Sequence, residues 1–317
     1  MIAPADAIKA QAAKDGTTIV SSTTDSTSAA ASAASQAATA IVFITADSGE
    51  EYITVEGNVG DRINLDPWHS GNQLVQAVAA VNKNTIVVVH SVGPIILETI
   101  LALPNVQAVV WAGLPGQESG NGLVDILYGS TSPSGKLPYT IAKSATDYGT
   151  SVQSGNDNFP EGLYIDYRHF DQANIAPRYE FGFGLSYTTF SYAGLTATYT
   201  DKSAGSSSPA PGGASGLYDT VATVTAKITN NGTVTGAEVA QLYIGLPSSA
   251  PASPPKQLRG FQKVSIAPGA SSTVTFSLRR RDLSYWDTAS QVWKTPVGTF
   301  NIYVGASSRD IRLTGTF

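Results

Sequence analysis

A mostly parallel α/β sandwich followed by an all-β sandwich is the fold class the sequence predicts, on three observations. First, the runs Ile41-Val42-Phe43-Ile44, Ile86-Val87-Val88-Val89 and Val106 to Trp111 are apolar without polar alternation and are separated by stretches with helical spacing. That is the pattern of parallel strands covered on both faces. Second, from Thr188 onward the period becomes two, with Ala222, Val224, Ala226 and Ile228 alternating with Thr223, Thr225 and Lys227, as in half-buried antiparallel strands. Third, a length of 317 residues suits about two domains, here placed at residues 1–187 and 188–317.

Taken in order, Pro4 to Lys14 has helical spacing stopped by Asp15-Gly16, and Thr17 to Val20 predicts a short strand. Ser21 to Ser35 is rich in Ser, Thr and Ala, and its second half predicts a surface helix ending near Ala38. After the first apolar run, Asp66-Pro67 offers an N-cap followed by proline at the first helical position. Leu74, Val75, Val78 and Val81 would then form its buried stripe. Ile95 to Leu103 predicts a further helix, and Gly113 to Gly120 a turn leading into a helix through Leu123, Ile126 and Leu127. Pro133 to Pro138 closes this unit, and the passage that follows to Tyr187, rich in Gly, Asn and aromatics, is too long for an ordinary loop and reads as a strap packing the domains together.

Beyond it, Ala240, Leu242 and Ile244, Val274, Phe276 and Leu278, and Phe300, Ile302 and Val304 repeat the period-two pattern. Together with the turn at Asn231-Gly232 they predict a sandwich of the immunoglobulin or fibronectin type III kind. Gly205 to Gly216, rich in Ser, Pro and Gly, reads as a flexible insertion.

Composition narrows the chemistry. Charged residues make up 14%, against about 25% in ordinary soluble domains, and the net charge of -5 carries no basic patch suited to nucleic acid. The basic run Arg279-Arg280-Arg281 is followed by Asp282 and is expected to face solvent or pair locally. With no cysteine, disulfides and thiolate chemistry are excluded; with only three histidines, scattered along the chain, no metal site is expected. No apolar run is long enough to span a bilayer, and the first residues lack the basic start and apolar stretch of a signal peptide. One sequon, Asn231-Gly232-Thr233, makes Asn231 a candidate glycosylation site.

The candidate site is the segment Thr45 to Asn58, in the loop leaving the first apolar strand at the sheet edge where α/β proteins place ligands. It offers a carboxylate, Glu50, beside an aromatic ring, Tyr52, the equipment of a sugar site. The string Asp47-Ser48-Gly49-Glu50-Glu51-Tyr52-Ile53-Thr54-Val55-Glu56-Gly57-Asn58, continued by Gly60-Asp61-Arg62 and Leu65-Asp66-Pro67-Trp68, resembles the acid/base segment of fungal β-glucosidases in family three of the glycoside hydrolases. The segments Glu161 to Phe170, Pro177 to Tyr187, Gly236 to Tyr243 and Arg281 to Asp287 are similar to the same family.

The resemblance implies that Glu50 is the general acid/base, that Tyr52 lies beside the leaving-group sugar, and that the second domain is fibronectin type III-like. It implies retaining hydrolysis of terminal β-linked glucose from cellobiose or other β-glucosides, without a cofactor, by a secreted enzyme. It also implies a partner: the nucleophile belongs to an N-terminal barrel domain whose sequence is not among these residues, and the first strand of the α/β domain is absent as well. The chain would then carry half of a catalytic pair and expose the face meant for the barrel. Where the family has glycine after the glutamate, this sequence has Glu51, a residue that resists positive φ.

Three readings compete. A stand-alone structural or sugar-binding module would share the fold without turnover, and β-xylosidases share the architecture. A serine esterase would use Ser91 in His90-Ser91-Val92-Gly93, with Asp125 and His169 following, but the first glycine of the nucleophile elbow is replaced by Val89. Gly129 to Lys136 has the wrong glycine spacing for a phosphate loop. Trp68 and Trp111 are read as core or interface residues, and Gly113 to Gly122 as packing.

Overall fold

In a computed structural model, which describes residues 1–317 except 152–154, 156–157 and 204, the chain divides into two compact units. Residues Met1–Ser130 and Ile141–Asp147 form the first, and Thr131–Thr140 and Tyr148–Phe317 the second. The strap, grouped by chain order with the α/β segment, therefore packs mainly with the β-sandwich.

The first unit begins with α1 (Pro4–Asp15), entered by proline and closed by Gly16 at φ 69°, whose N–H reaches Ala12 O. α2 (Thr27–Ala34) is capped by the Ser26 hydroxyl, which accepts from Ala29 N, and stops short of Ala38. β1 (Ala40–Ala46) leads into the hairpin β2 (Thr54–Val55) and β3 (Asn58–Val59) and then α3 (Gly71–Ala79). β4 (Thr85–Ser91), the short α4 (Glu98–Leu101), β5 (Val106–Trp111) and α5 (Ser119–Leu127) complete the unit. The sheet runs β1-β4-β5, all parallel.

Several expectations are corrected here. Thr17 to Val20 joins no strand ladder, although its β-branched residues suit one. Helix α3 begins at Gly71 rather than Pro67, because Trp68 N–H is taken by Thr45 O and because His69 and Ser70 both adopt left-handed φ values of 53° and 56°. Leu74, Val75 and Val78 are buried as predicted, but Val81 lies past the helix end and is exposed. The helix expected over 95–103 shrinks to one turn, with Ile95 and Leu97 buried on the way into it. Gly120 of α5 fits against α1 because a Cβ there would lie 2.5 Å from Ala3 O.

In the second unit, α6 (Tyr167–Gln172) is the one regular helix of the described strap. Its Tyr167 ring lies tilted against Phe181 at 4.9 Å and edge-on to Tyr243 at 5.8 Å, and its hydroxyl accepts from Leu258 N–H; Asp171 pairs with Lys256 at 2.5 Å and Arg309 at 3.3 Å. Gln241 donates to Gly182 O and Ala306 O, fastening the same strap to the sandwich. The described residues of the strap are held this way because some of their polar groups find partners in the sandwich strands.

The sandwich comprises β6 (Phe190–Tyr199), the small hairpin β7 (Pro209–Ala210) and β8 (Gly213–Ala214), β9 (Thr220–Asn230), β10 (Gly236–Gly245), β11 (Gln257–Ile266), β12 (Ser271–Arg279), the hairpin β13 (Tyr285–Asp287) and β14 (Val292–Lys294), β15 (Asn301–Gly305) and β16 (Ile311–Thr316). Its two antiparallel sheets run β11-β10-β15-β16 and β12-β9-β6. Their inner faces are the alternating residues read from the sequence: Val224, Ala226, Ile228, Leu242, Ile244, Val274, Phe276, Leu278, Ile302 and Val304 form one buried cluster.

Two features depart from expectation. Residues 205–216, read as a flexible insertion, contain the β7–β8 hairpin and the start of a 3-10 turn, elements that the sequence reading did not assign. Arg280, in a run expected to face solvent or pair locally, is only 2% exposed and reaches Gly216 O at 3.0 Å and Asp201, distant in sequence, at 2.7 Å. Its neighbours keep the surface: Arg279 pairs with Asp282 and Arg281 lies over the Trp293 ring.

Candidate active site at the edge of the parallel sheet

The loop after β1 is a built structure. Gly49 N–H donates to Gly60 O and Gly60 N–H to Ile53 O, each at 3.0 Å, while Ile53 N–H closes a turn on Glu50 O at 2.8 Å. Glycine is required at both ends: a Cβ on Gly49 would sit 2.3 Å from Ile53 O, and Gly60 has φ 72° with Glu51 O 2.9 Å from any added Cβ. Glu56 and Gly57, at φ 49° and 85°, form the two-residue turn of the β2–β3 hairpin, a conformation whose twist matches the strands.

The turn from Glu50 to Ile53 presents both sequence-predicted site residues to solvent. Glu50 is exposed and Tyr52 is 82% exposed. Among the described residues no lysine or arginine forms an ion pair with Glu50. Glu51, at the position where the resemblance implies glycine, has φ 51°. The glutamate adopts the left-handed conformation that a glycine takes freely, at a cost of about 1–2 kcal/mol.

Residues that the sequence reading did not assign hold this loop. Arg62 donates from its backbone to Ser48 Oγ at 3.2 Å and from its guanidinium to Pro94 O at 2.6 Å, linking the loops after β1 and β4. His69 Nε2 lies 2.8 Å from Glu56 Oε2, at the tip of the hairpin, with Asp25 3.8 Å from Nδ1. Glu56, Arg62, Trp68 and His69 line an open cleft of about 340 Å³, in which Trp68 is half-buried. The only available signal was that Arg62 and Trp68 lay within the resemblance string.

The exposed apolar residues Tyr52, Ile53, Val59, Ile63, Val92 and Leu114 all lie on loops that follow β1, β4 and β5 at the same edge of the sheet. A run of large apolar side chains on one rim marks an interaction surface.

The rival chemistry fails on geometry. Ser91 is buried, and its hydroxyl donates to Gly93 O at 2.6 Å, closing a local turn instead of facing a substrate. His90 stacks on Phe43, its Nε2 is 3.5 Å from Ser119 Oγ, and burial pushes its pKa down. Asp125 accepts from Ser130. Among the described residues no three His, Asp or Glu side chains gather as a metal site.

The chain thus pairs a parallel α/β unit, with a carboxylate-bearing loop after its first strand, with a seven-stranded antiparallel sandwich. The glycosyl hydrolase family 3 C-terminal domain matches residues 1–187 and a fibronectin type III-like domain matches 238–308, and the chain belongs to glycosyl hydrolase family 3. Over its full length it is 66% identical to the probable beta-glucosidase L of Aspergillus fumigatus, and over 98% of its length it is 62% identical to the beta-glucosidase cel3A of Pyricularia oryzae. It spans 43% of each of those relatives and corresponds to their C-terminal part. Solved structures agree. The beta-glucosidase D2-BGL from Chaetomella raphigera (72% identity, TM-score 0.99) and the beta-D-glucoside glucohydrolase from Trichoderma reesei (66%, 0.97) each match the whole chain with 45% of their own.

Proposed function

We propose that the chain is the acid/base-bearing portion of a retaining β-glucosidase that releases terminal, non-reducing β-linked glucose from cellobiose and other β-glucosides. The observation that carries the reading is the placement of Glu50: exposed, without a cationic partner among the described residues, and on one turn with Tyr52. Retaining hydrolysis places two carboxyl groups about 5 Å apart. Glu50 supplies one, protonating the departing oxygen and then taking a proton from the water that frees glucose from the covalent intermediate. The other, the nucleophile, comes from a barrel domain elsewhere in the longer protein. The apolar rim around Tyr52, Ile63 and Leu114 supports a partner domain on that side. Tyr52 gives the leaving-group sugar a flat face, and no cofactor takes part.

The test joins this chain to the part of the Trichoderma reesei relative outside the match. Glu50→Gln is expected to lower kcat/KM on an alkyl β-glucoside by about 10²–10⁴-fold, and far less on a dinitrophenyl glucoside, whose leaving group needs no proton. Equal losses on both substrates, or a larger selective loss from Glu51→Gln, would sink the assignment.

The same proposal includes secretion and a glycan on Asn231, which is exposed in the turn after β9, its Oδ1 accepting from Ser191. A mass increment at Asn231 in protein secreted by a yeast host, abolished by Thr233→Ala, checks it.

A further inference from the structure

We propose that His69 is a pH-dependent positioning residue for the Glu50 turn: protonation of its ring ties the tip of the β2–β3 hairpin to the segment ahead of α2 and so fixes the loop that carries Glu50. The consequence for catalysis rests on the reading of Glu50 as the acid/base; the tie itself does not. His69 stands on a rigid base. Trp68 N–H is bonded to Thr45 O at 2.8 Å, and Gly71 lies so close to the same strand that a Cβ there would meet Ile44 at 3.2 Å. Between them His69 and Ser70 hold left-handed φ values of 53° and 56°, and Glu56, which meets His69 from the hairpin, is left-handed as well at 49°. Both partners of this one contact therefore adopt backbone conformations that side chains of their kind avoid. Strain of that sort gathers where a structure is built to switch.

The ring stands between two carboxylates from different segments. Nε2 lies 2.8 Å from Glu56 Oε2, in the hairpin turn, and Nδ1 lies 3.8 Å from Asp25 Oδ2, next to the Ser26 cap of α2. Arg62 and Asp66 line the same cleft, and the Arg62 guanidinium donates to Pro94 O. A neutral imidazole has one N–H and donates to Glu56 alone; a protonated one donates from both nitrogens and attracts both acids. Histidine ordinarily makes that change between about pH 5 and 8. The tie is therefore tighter on the acid side of that range and looser on the alkaline side. From Glu56 the route to the catalytic turn is short: Gly60 N–H bonds to Ile53 O at 3.0 Å, and Ile53 N–H to Glu50 O at 2.8 Å. His69 acts through the hairpin rather than on substrate.

The experiment uses the chain joined to the unmatched part of the Trichoderma reesei relative and reads hydrogen exchange across residues 49–60 at pH 5 and pH 8, each variant against wild type at the same pH. Because His69, Glu56 and Asp25 are all solvent-accessible, His69→Ala is expected to exchange only about two- to fivefold faster at pH 5, and to differ less at pH 8. His69→Gln keeps a donor for Glu56 but gains no proton, so it should match wild type at pH 8 and fall behind it at pH 5. Glu56→Gln, which still accepts from Nε2 but carries no charge, should do the same. On an alkyl β-glucoside, the ratio of kcat/KM between wild type and His69→Gln should be higher at pH 5 than at pH 8 by a similar factor. Exchange ratios that are equal at both pH values, or a His69→Gln that matches wild type at both, would overturn the proposal. A pH-dependent exchange ratio beside a pH-independent activity ratio would overturn the positioning role. Failure of the Glu50 reading shows separately, as equal losses from Glu50→Gln on the alkyl and dinitrophenyl glucosides.

Discussion

The loop after β1 and the core of the β-sandwich obey opposite rules. In the sandwich, side chains such as Leu242, Ile302 and Val224 have no exposed surface and ordinary strand backbones carry them. In the loop, four of the eight described non-glycine residues with positive φ, Glu51, Glu56, His69 and Ser70, fall within 20 positions, and the side chains of interest face water. One region is held by burial, the other by backbone hydrogen bonds closed through glycines. Strain tolerated in a loop that buries so little must be offset by the bonds from Gly49 to Gly60 and from Arg62 to Pro94.

That contrast breaks or sharpens on substitution. The largest effect is expected in the sandwich: Leu242→Ala, at a fully buried position, should destabilise the second unit by about 2–5 kcal/mol, read as a lower urea midpoint. A loss under about 0.5 kcal/mol would mean that burial is not what holds this region.

A smaller effect of opposite sign is expected in the loop. Glu51→Gly should stabilise the first unit by about 1 kcal/mol, measured by thermal unfolding, because φ 51° costs glycine nothing. Destabilisation by that exchange would show that the Glu51 side chain contributes more than its backbone strain.

The smallest effect concerns the ion pair at the sandwich margin. Hydrogen bonds from Ser203, and then from Arg280, hold the Asp201 carboxyl at about 2 against an ordinary 3.8. The folded-state pKa is depressed, so the contribution is complete above pH 3.8 and fades as pH falls toward 2. Because Asp201 is largely solvent-facing, the effect should be slight. Asp201→Asn should flatten the stability profile over that window and leave it unaltered in slope above pH 5. A change in slope at neutral pH would assign the pair a different role.

The legibility of the molecule divides along the same line. Sandwich strands were readable because alternation of Val274, Phe276 and Leu278 is a local property with one burial outcome. The Glu50 turn was placed correctly at the end of β1 because an apolar run must exit at the sheet edge, and glycines at 49 and 60 are already turn signals in the sequence.

What the sequence by itself determined is therefore the class of each segment: three apolar parallel strands, an acidic loop beyond the first, and an alternating sandwich. Tertiary structure alone decided that Arg280 is buried on Asp201 and Gly216 O, that Trp68 gives its N–H to Thr45 and delays α3, and that Thr17 to Val20 joins no strand ladder among the described residues. Periodicity is set by neighbours a few residues away. A ladder partner, an ion pair or a left-handed residue such as Glu51 depends on groups brought together from distant parts of the chain, and no local pattern encodes which of them will arrive.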